Sequence, residues 1–173
     1  MQTSTQSNEA APQVVRRAHV TGVVYLDGID RPTADRSAQV VRDFAAACAH
    51  GPLEVEEAYD EPRSRLTLTV TGSLPGVLRL LNGKTQGGAR LIDDRAGTSL
   101  VTGVDNVGSE KAVAINDHLL NAAKNHPRGD QPLDVRTEHD ALRARLTVRV
   151  DGSLFATSYL LFLVNLHLTQ SRT

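Results

Sequence analysis

The sequence predicts an α+β fold that consists of two tandem copies of a β-α-β-β-α unit with an antiparallel sheet. Three observations support this prediction: an internal duplication, a period-two alternation of apolar residues in each copy, and helical segments that flank it. The chain has 173 residues, of which 40% are hydrophobic and 23% charged. It is therefore long enough for two small copies to share one core.

The duplication is clearest in two 25-residue segments. Residues 52–76 read PLEVEEAYDEPRSRLTLTVTGSLPG and residues 132–156 read PLDVRTEHDALRARLTVRVDGSLFA, with 12 of 25 positions identical and no gap. Upstream, VTGV occurs at residues 20–23 and again at 101–104. These matches predict a disordered polar tail (1–13), a first repeat (14–97) and a second repeat (98–173). The changing offset predicts extra residues before the first helix of copy one and after the first helix of copy two.

Each copy opens with a strand and a helix. In copy one, residues 19–26 are rich in β-branched residues, residues 27–32 have turn chemistry, and Thr33 is the predicted N-cap of a helix over 34–50. Its predicted apolar stripe is Val40, Val41, Phe44, Ala45 and Cys48. In copy two, Ser109 is the predicted cap of a helix that ends at His126 and Pro127. The predicted stripe of that helix is Ala112, Ile115, Leu119, Leu120 and Ala123.

A hairpin follows in each copy. Residues 53–59 and 133–139 are its predicted first strands, and the second strands alternate with period two. The predicted inward residues are Leu66, Leu68 and Val70 in copy one and Leu146, Val148 and Val150 in copy two. Alternation of this kind indicates an antiparallel sheet with one polar face. Ser73 and Ser153 are then predicted to cap a second helix in each copy.

Residues 89–94 predict one further strand. It either closes copy one as β-α-β-β-α-β or forms a hairpin with residues 99–104, and the sequence leaves both open. In either arrangement, two halves with helices on one face of antiparallel strands resemble a tandem ferredoxin-like fold. The resemblance is one of topology and implies a pseudo-dimer produced by gene duplication.

The last helix, predicted over residues 154–168, is apolar on nearly every side. A helix of this kind must be covered on several sides in a water-soluble protein. Its apolar run is shorter than the roughly 20 residues that cross a bilayer, so we predict no membrane partner. The sequence favours burial between the two halves or in a homo-oligomer interface.

Four arginines are candidates for ligand binding. The repeated pairs Arg63 with Arg65 and Arg143 with Arg145 have strand spacing, which predicts that each pair shares one face of the sheet. Two such pairs related by a pseudo-two-fold axis suit a small anionic ligand with a carboxylate or phosphate group. The alternative is ordinary surface pairing with strand neighbours. The acidic candidates are Glu54, Glu56, Asp134 and Glu138.

The candidates for acid–base catalysis are His139, Asp140, Tyr25 and Tyr59. His139 occupies the position of Tyr59 at the end of a hairpin strand and precedes Asp140, and its alternative role is that of an exposed hairpin residue. Tyr25 begins a connection, residues 25–31, that is predicted to belong to copy one alone. Loops on a rigid scaffold often carry functional sites.

Other motifs are absent from the sequence. The six histidines lack metal-ligand spacing, and Cys48, the single cysteine, is predicted to lie on an apolar stripe. No glycine-rich phosphate loop follows a strand. We therefore predict no metal site and no cofactor.

Net charge, aromatic content and cysteine count exclude some classes of function. A net charge of −1 and 3% aromatic residues argue against nucleic acid as a partner, and a single cysteine suggests a reducing, cytoplasmic setting. The first hypothesis is a non-catalytic module that binds a small molecule or a protein and oligomerises through its C-terminal helix. The alternative is a cofactor-independent small α+β barrel enzyme of the isomerase, cyclase or monooxygenase type. The neutral charge and the polar, cationic strand face favour the first hypothesis.

Overall fold

The computed structural model describes residues 18–126 and 132–170, and the predicted tail lies outside them. The first repeat contains β1 (Ala18–Asp27), α1 (Arg31–Ala46), β2 (Glu54–Asp60), β3 (Arg65–Ser73) and α2 (Leu74–Leu81). The second contains β4 (Gly97–Val104), α3 (Ser109–Asn125), β5 (Asp134–Asp140), β6 (Arg145–Ser153) and α4 (Leu154–Thr169). The predicted tandem α+β duplication is confirmed, whereas the division of the chain at residues 97 and 98 stays a prediction.

The six strands form one antiparallel sheet in the order β2-β3-β1-β4-β6-β5. Because β4 lies beside β1, the series β1-α1-β2-β3-α2-β4 is a complete ferredoxin-like unit. In the second repeat, β1 takes the place of the fourth strand. The two central strands therefore serve both halves, which explains how two small repeats form one sheet.

The prediction of a strand over residues 89–94 is wrong in both of its forms. Within this segment only Arg90 makes a bridge, to Lys84, and the side chain of Ile92 is buried in the core. β1 already pairs with β3 and β4, and β4 already pairs with β1 and β6. The segment therefore has no free central strand edge with which to pair.

The pseudo-two-fold axis passes through the pair formed by Gly22 and Leu100. Gly22 lies opposite Val70, and Leu100 lies opposite Val150, the counterpart of Val70 in the duplicated hairpin. Leu100 is thus the counterpart of Gly22, 78 positions later in the sequence, and these two residues also face each other across β1 and β4. The same spacing relates Arg31 to Ser109, which begin α1 and α3.

This register corrects the alignment that the VTGV motif suggested. The motif recurs 81 positions apart, three positions out of register with the structure. Because side chains alternate between the faces of a strand, an odd shift exchanges the faces. Val20 is buried whereas Val101 is exposed. Copy one consequently has no extra residues before its first helix.

All four helices cover one face of the sheet. α2 and α4 pack against each other at the centre, and α1 and α3 flank them. The inward strand residues of both repeats are buried in a single core, as predicted. Both predicted serine caps are confirmed, because Ser73 Oγ accepts the N–H of Gly76 at 3.2 Å and Ser153 Oγ accepts that of Ala156 at 3.4 Å.

The first helix departs from its predicted boundaries. Asp30, not Thr33, is its N-cap, and the Asp30 carboxylate accepts the backbone N–H of Thr33 at 2.8 Å. α1 ends at Ala46, so Cys48 lies beyond it. Val40, a predicted stripe residue, is exposed. The buried face is formed by Ala34, Ala38, Val41 and Ala45. Val41 and Ala45 belong to the predicted stripe, whereas Ala34 and Ala38 were missed because small alanines give a weak apolar signal.

The equivalent helix in copy two is closer to its prediction. Gly108 is the N-cap, and Ser109 is the first helical residue rather than the cap. Leu119 is buried as expected, whereas Leu120 is exposed. α3 ends at Asn125, and Pro127 lies outside the described residues.

α4 has a buried and an exposed face, although apolar residues occur on nearly every side of it. Its buried residues are Leu154, Ala156, Thr157, Ser158, Leu160, Leu161, Leu163 and Val164. Phe155, Tyr159 and Phe162 are 53%, 44% and 50% exposed. Within the described part of the chain, no helix is both long and apolar enough to cross a membrane.

Candidate functional site

Each repeat ties the turn after its first strand to its hairpin by the same pair of contacts. In copy one, Tyr59 Oη donates to the carbonyl of Ile29 at 2.8 Å, and the N–H of Ile29 donates to the carbonyl of Ser64 at 3.2 Å. In copy two, His139 Nε2 lies 2.7 Å from the carbonyl oxygen of Val107, and the N–H of Val107 donates to the carbonyl of Ala144 at 2.7 Å. A carbonyl only accepts, so His139 Nε2 carries a proton and donates it. Tyr59 and His139 therefore make equivalent structural contacts.

The Asp140 side chain stabilises the hairpin turn that follows it through hydrogen bonds that do not involve His139. Its carboxylate accepts the backbone N–H groups of Leu142 and Arg143 at 3.0 and 3.1 Å. The sequence suggested that His139 and Asp140 act together, but these hydrogen bonds do not join the two side chains. Hairpin geometry accounts for the position of both residues.

The connection after β1 is shared by both copies, contrary to prediction. Gly28 and Asn106 are equivalent residues in these connections and have positive φ angles of 71° and 60°. Glycine and asparagine are the residues that adopt this left-handed region most readily. Two different residues thus meet one backbone requirement, which concealed the equivalence in the sequence.

The arginine pairs are divided between strands and turns. Arg63 and Arg143 lie in the hairpin turns, 3.6 and 3.7 Å from carboxylate oxygens of Asp60 and Asp140. The spacing in the sequence predicted that Arg63 and Arg143 lie on strands. This prediction fails because the next residues, Ser64 and Ala144, have positive φ angles and the second strands begin only after them.

The two strand arginines lie at opposite ends of the sheet. Arg65 pairs with Asp27 at the end of β1. Arg145 lies at the opposite end of the sheet, one position beyond the row in which Leu146 lies level with Ala18 at the start of β1. Nine residues of strand separate these rows by about 30 Å. The structure therefore does not bring the four arginines around one ligand, and anion binding at either end stays a prediction.

Tyr25 and Arg65, two of the predicted site residues, do meet on the open face of the sheet. The guanidinium carbon of Arg65 lies 5.3 Å from the centre of the Tyr25 ring. Arg65 also donates two hydrogen bonds to the carboxylate of Asp27, one of them 3.2 Å long from Nη2. The result is a stacked cation held in place by a carboxylate.

Tyr25 separates two open grooves, of about 570 and 470 Å³. The first is lined by Tyr25, Leu26, Asp27, Ile29, Arg65, Asp93, Arg95, Ala96 and Gly97. The second is lined by Tyr25, Thr98, Ser99, Pro132, Asp134, Arg149, Asp151 and Gly152. In copy two, Gly103 stands in the position of Tyr25, and a Cβ atom there would lie 2.6 Å from Nη2 of Arg145. Copy two therefore lacks the aromatic wall.

Each groove wall carries an arginine that pairs with a carboxylate, Arg65 with Asp27 in the first groove and Arg149 with Asp151 in the second. The hydrogen bond from Arg65 holds the pKa of Asp27 below its ordinary value. Burial acts to raise the pKa of Asp151, but hydrogen bonds from Arg149 and Ser99 outweigh it and leave that pKa lowered. Both carboxylates are therefore ionised at neutral pH. The grooves suit a polar molecule of little net charge better than a strong anion.

The ion pair of Asp27 with Arg65 predicts how the free energy of unfolding changes at low pH. Its carboxylate has a lowered pKa in the folded protein, so its contribution to stability is complete above the unfolded pKa, about 4. That contribution is lost as the pH falls through the lower, folded pKa. We expect Asp27→Asn to flatten the fall in the free energy of unfolding below about pH 4. Urea titrations between pH 2 and 7 measure it.

The matched control is Asp105→Asn in copy two. The Asp105 carboxylate lies 3.7 Å from Nη1 of Arg145, a longer contact than that of Asp27 with Arg65. We expect Asp105→Asn to change the free energy of unfolding below about pH 4 less than Asp27→Asn does. Equal pH profiles for the wild type and Asp27→Asn contradict the proposed role of the hydrogen bond.

A second candidate site is the aromatic row, which we define as Phe155, Tyr159 and Phe162 on α4. The ring of His126 lies 5.6 Å from the rings of both Phe155 and Tyr159. A groove of about 220 Å³ flanks the row beside α3, and one of about 490 Å³ flanks it beside α2. The row is an exposed apolar surface with a concave margin on each side.

The row belongs to copy two alone. In copy one, the equivalent positions carry Pro75 and Arg79 in α2 and Asn82 at its C-cap. Since α2 forms without these aromatic rings, the fold does not require them. The row was hard to recognise in the sequence, because apolar residues occur on every side of α4 and two of its polar residues, Thr157 and Ser158, are buried. The difference between the two copies at these positions is the signal that was available.

Comparison with known proteins identifies no family. No protein-family model matches the chain, and no curated protein is significantly similar to it in sequence. Among solved structures, it is similar to the crystal structure of the regulatory subunit of aspartate kinase from Thermus flavus, with 12% sequence identity and a TM-score of 0.27. That match covers 87% of this chain and 93% of the other. A TM-score this low supports no inference about function.

Proposed function

We propose that the protein is a non-catalytic assembly module that forms a homodimer through the aromatic row. The row is the observation that carries this proposal: three of the six Phe and Tyr residues of the chain lie half exposed within two turns of one helix. Contiguous exposed apolar surface marks interaction sites, and aromatic residues supply much of the binding energy at interfaces.

The spacing of the row favours a second copy as the partner. Phe155 and Phe162 lie four residues before and three residues after Tyr159 on one face of α4. When two such helices pack antiparallel about a two-fold axis at Tyr159, each Phe155 meets the Phe162 of the other copy. A self-complementary surface is what a two-fold interface needs. The net charge of −1 produces little repulsion between copies.

The row alone supplies less than half of the area that a stable dimer buries. An aromatic side chain buries about 150–250 Å² in full, so three half-exposed rings supply about 300 Å² per copy. A stable interface needs about 800 Å² per partner. The row therefore supplies its apolar centre. The residues of the two flanking grooves, including Phe44, Leu78 and His126, surround it.

The test exchanges the row for the residues that copy one carries at the same positions. Tyr159→Arg and Phe162→Asn reproduce Arg79 and Asn82 of copy one. In sedimentation velocity, we expect a dimer for the wild type and a monomer for the double variant, with unchanged far-ultraviolet circular dichroism. Val113→Asn is the control, because Val113 is exposed on α3 outside the row. A monomeric wild type, or a double variant that stays dimeric, contradicts the proposal.

A second candidate function is small-molecule binding in the grooves beside Tyr25. The groove volumes lie within the range of ligand sites, and Tyr25 with Arg65 offers a stacking surface. Native mass spectrometry of freshly purified protein tests this function. A retained small molecule that disappears in Tyr25→Gly, which reproduces Gly103 of copy two, supports it. An identical spectrum for both proteins contradicts it.

The alternative of a cofactor-independent enzyme has less support. Tyr59 and His139 use their polar atoms to hold backbone carbonyls. Tyr25 lines open grooves rather than an enclosed, mainly apolar pocket. The proposal of an assembly module accordingly assigns no reaction, and it includes the cytoplasmic setting suggested by the single cysteine.

A further inference from the structure

Two histidines from different helices face each other at one end of the seam between α3 and α4. Nδ1 of His118 lies 2.6 Å from Nε2 of His167. The rings are nearly perpendicular, with an interplanar angle of 79° and centres 4.8 Å apart. The aromatic row and His126 lie toward the other end of this seam, so the pair is separate from the proposed dimer surface.

We infer that His118 and His167 form a two-nitrogen chelating site for a borderline divalent cation of the Zn²⁺, Ni²⁺ or Cu²⁺ class. Neutral imidazole nitrogen is a preferred ligand of these ions. In the metal-free pair, one facing nitrogen donates its proton and the other accepts it. Their lone-pair directions therefore converge on the same small volume, which is the position that a cation needs.

The geometry requires only a small adjustment. Zinc binds histidine nitrogen at about 2.0–2.1 Å, and tetrahedral angles place two such nitrogens about 3.4 Å apart. The observed 2.6 Å separation must therefore widen by less than about 1 Å. His118 is exposed on the surface of α3 and His167 is half-buried near the end of α4. Rotation of the exposed His118 ring supplies this movement without repacking the core.

Protons balance in this binding step. When both rings are neutral, the donor ring shifts its proton from the facing nitrogen to its outer nitrogen, and each facing nitrogen gives its lone pair to the cation. Two bonds to the cation form as water ligands leave it, the hydrogen bond between the rings breaks, and no proton leaves the pair. Water supplies the remaining ligands, since no cluster of three metal-binding side chains occurs among residues 18–126 and 132–170.

The site is expected to bind more weakly than a four-ligand zinc centre. Lys111 on α3 acts electrostatically on His167, and its positive charge opposes cation binding. Because the two ligands lie on different helices, a bound cation links α3 to α4 and stabilises the folded state. The sequence motifs could not reveal this site, because 49 residues separate the two ligands.

Calorimetric titration of the full chain with Zn²⁺, without a polyhistidine tag, tests the inference. We expect one Zn²⁺ per chain and at least about tenfold weaker binding in both His118→Asn and His167→Asn. His19→Asn is the matched control, because His19 is exposed at the start of β1, and it should bind as the wild type does. Equal affinity in all four proteins overturns the site.

Nuclear magnetic resonance of the wild type gives a second readout that does not depend on the variants folding. On addition of Zn²⁺, the ¹⁵N signals of His118 Nδ1 and His167 Nε2 should shift together and before those of the other histidines. Shifts confined to any other histidine overturn the inference, and circular dichroism shows whether each variant is folded.

Discussion

Replacing Leu161 with alanine is expected to lower the free energy of unfolding by about 2–5 kcal/mol, whereas Phe162→Ala has a much smaller effect on the folded subunit. The side chain of Leu161 is fully buried in the shared core, and that of Phe162 is half exposed. Truncating a buried leucine removes apolar burial and leaves a cavity that close-packed neighbours fill only partly.

Urea unfolding at two protein concentrations measures the two effects separately. Loss of core packing is independent of protein concentration, but loss of association is not. We expect Leu161→Ala to be destabilised equally at both concentrations and Phe162→Ala to lose the concentration dependence of the wild type. Similar unfolding free energies for the two variants contradict the assignment of a buried and an exposed face to α4.

The second large effect is expected at the pseudo-two-fold axis, where Gly22 faces Leu100. A Cβ atom on Gly22 would lie 2.8 Å from Cδ2 of the buried Leu100. Gly22→Leu therefore overpacks the centre of the sheet and should cost about 1–3 kcal/mol or more. Leu100→Gly leaves a cavity and should cost about 2–5 kcal/mol.

The double exchange of Gly22→Leu with Leu100→Gly distinguishes this account from a general intolerance of these positions. Because the axis relates the two sites, the leucine enters from the opposite strand into nearly the same volume. We expect the exchange to recover most of the lost stability in urea unfolding. Additive losses from the two single changes contradict the assignment of the axis to this pair.

Local features of the fold could be predicted from the sequence, whereas strand partnership could not. Leu66, Leu68 and Val70 alternate along one strand, and Ser73 caps the helix that follows, so adjacent residues carry the whole signal. The shared role of β1 and β4 depends on which edges remain free after the other strands pair. Which edges are free is decided only when the whole sheet has formed. Nothing in the local sequence of residues 89–94 therefore shows that no central strand edge is free to pair with them.

The candidate site could be predicted only in part for the same reason. Tyr25 and Arg65 were identified singly, and the pairing of β1 with β3 brings them together. Tyr59 and His139 were predicted as acid–base groups because their chemistry permits it, but their partners are backbone carbonyls that carry no sequence signature. On α4, apolar residues lie on both faces and the polar Thr157 and Ser158 are buried, so polarity gives no indication of which face is open.

A cysteine placed at the proposed two-fold axis tests the dimer most directly. Facing Cα atoms of two packed helices lie about 5 Å apart, within the range that a disulfide spans. In a Cys48→Ser background, which removes the native thiol, Tyr159→Cys at high protein concentration should form a covalent dimer on mild oxidation. Arg79→Cys, at the equivalent position of α2, should form no covalent dimer, because it lies off the proposed axis. Equal cross-linking of the two variants, or none in Tyr159→Cys, would contradict assembly through the aromatic row.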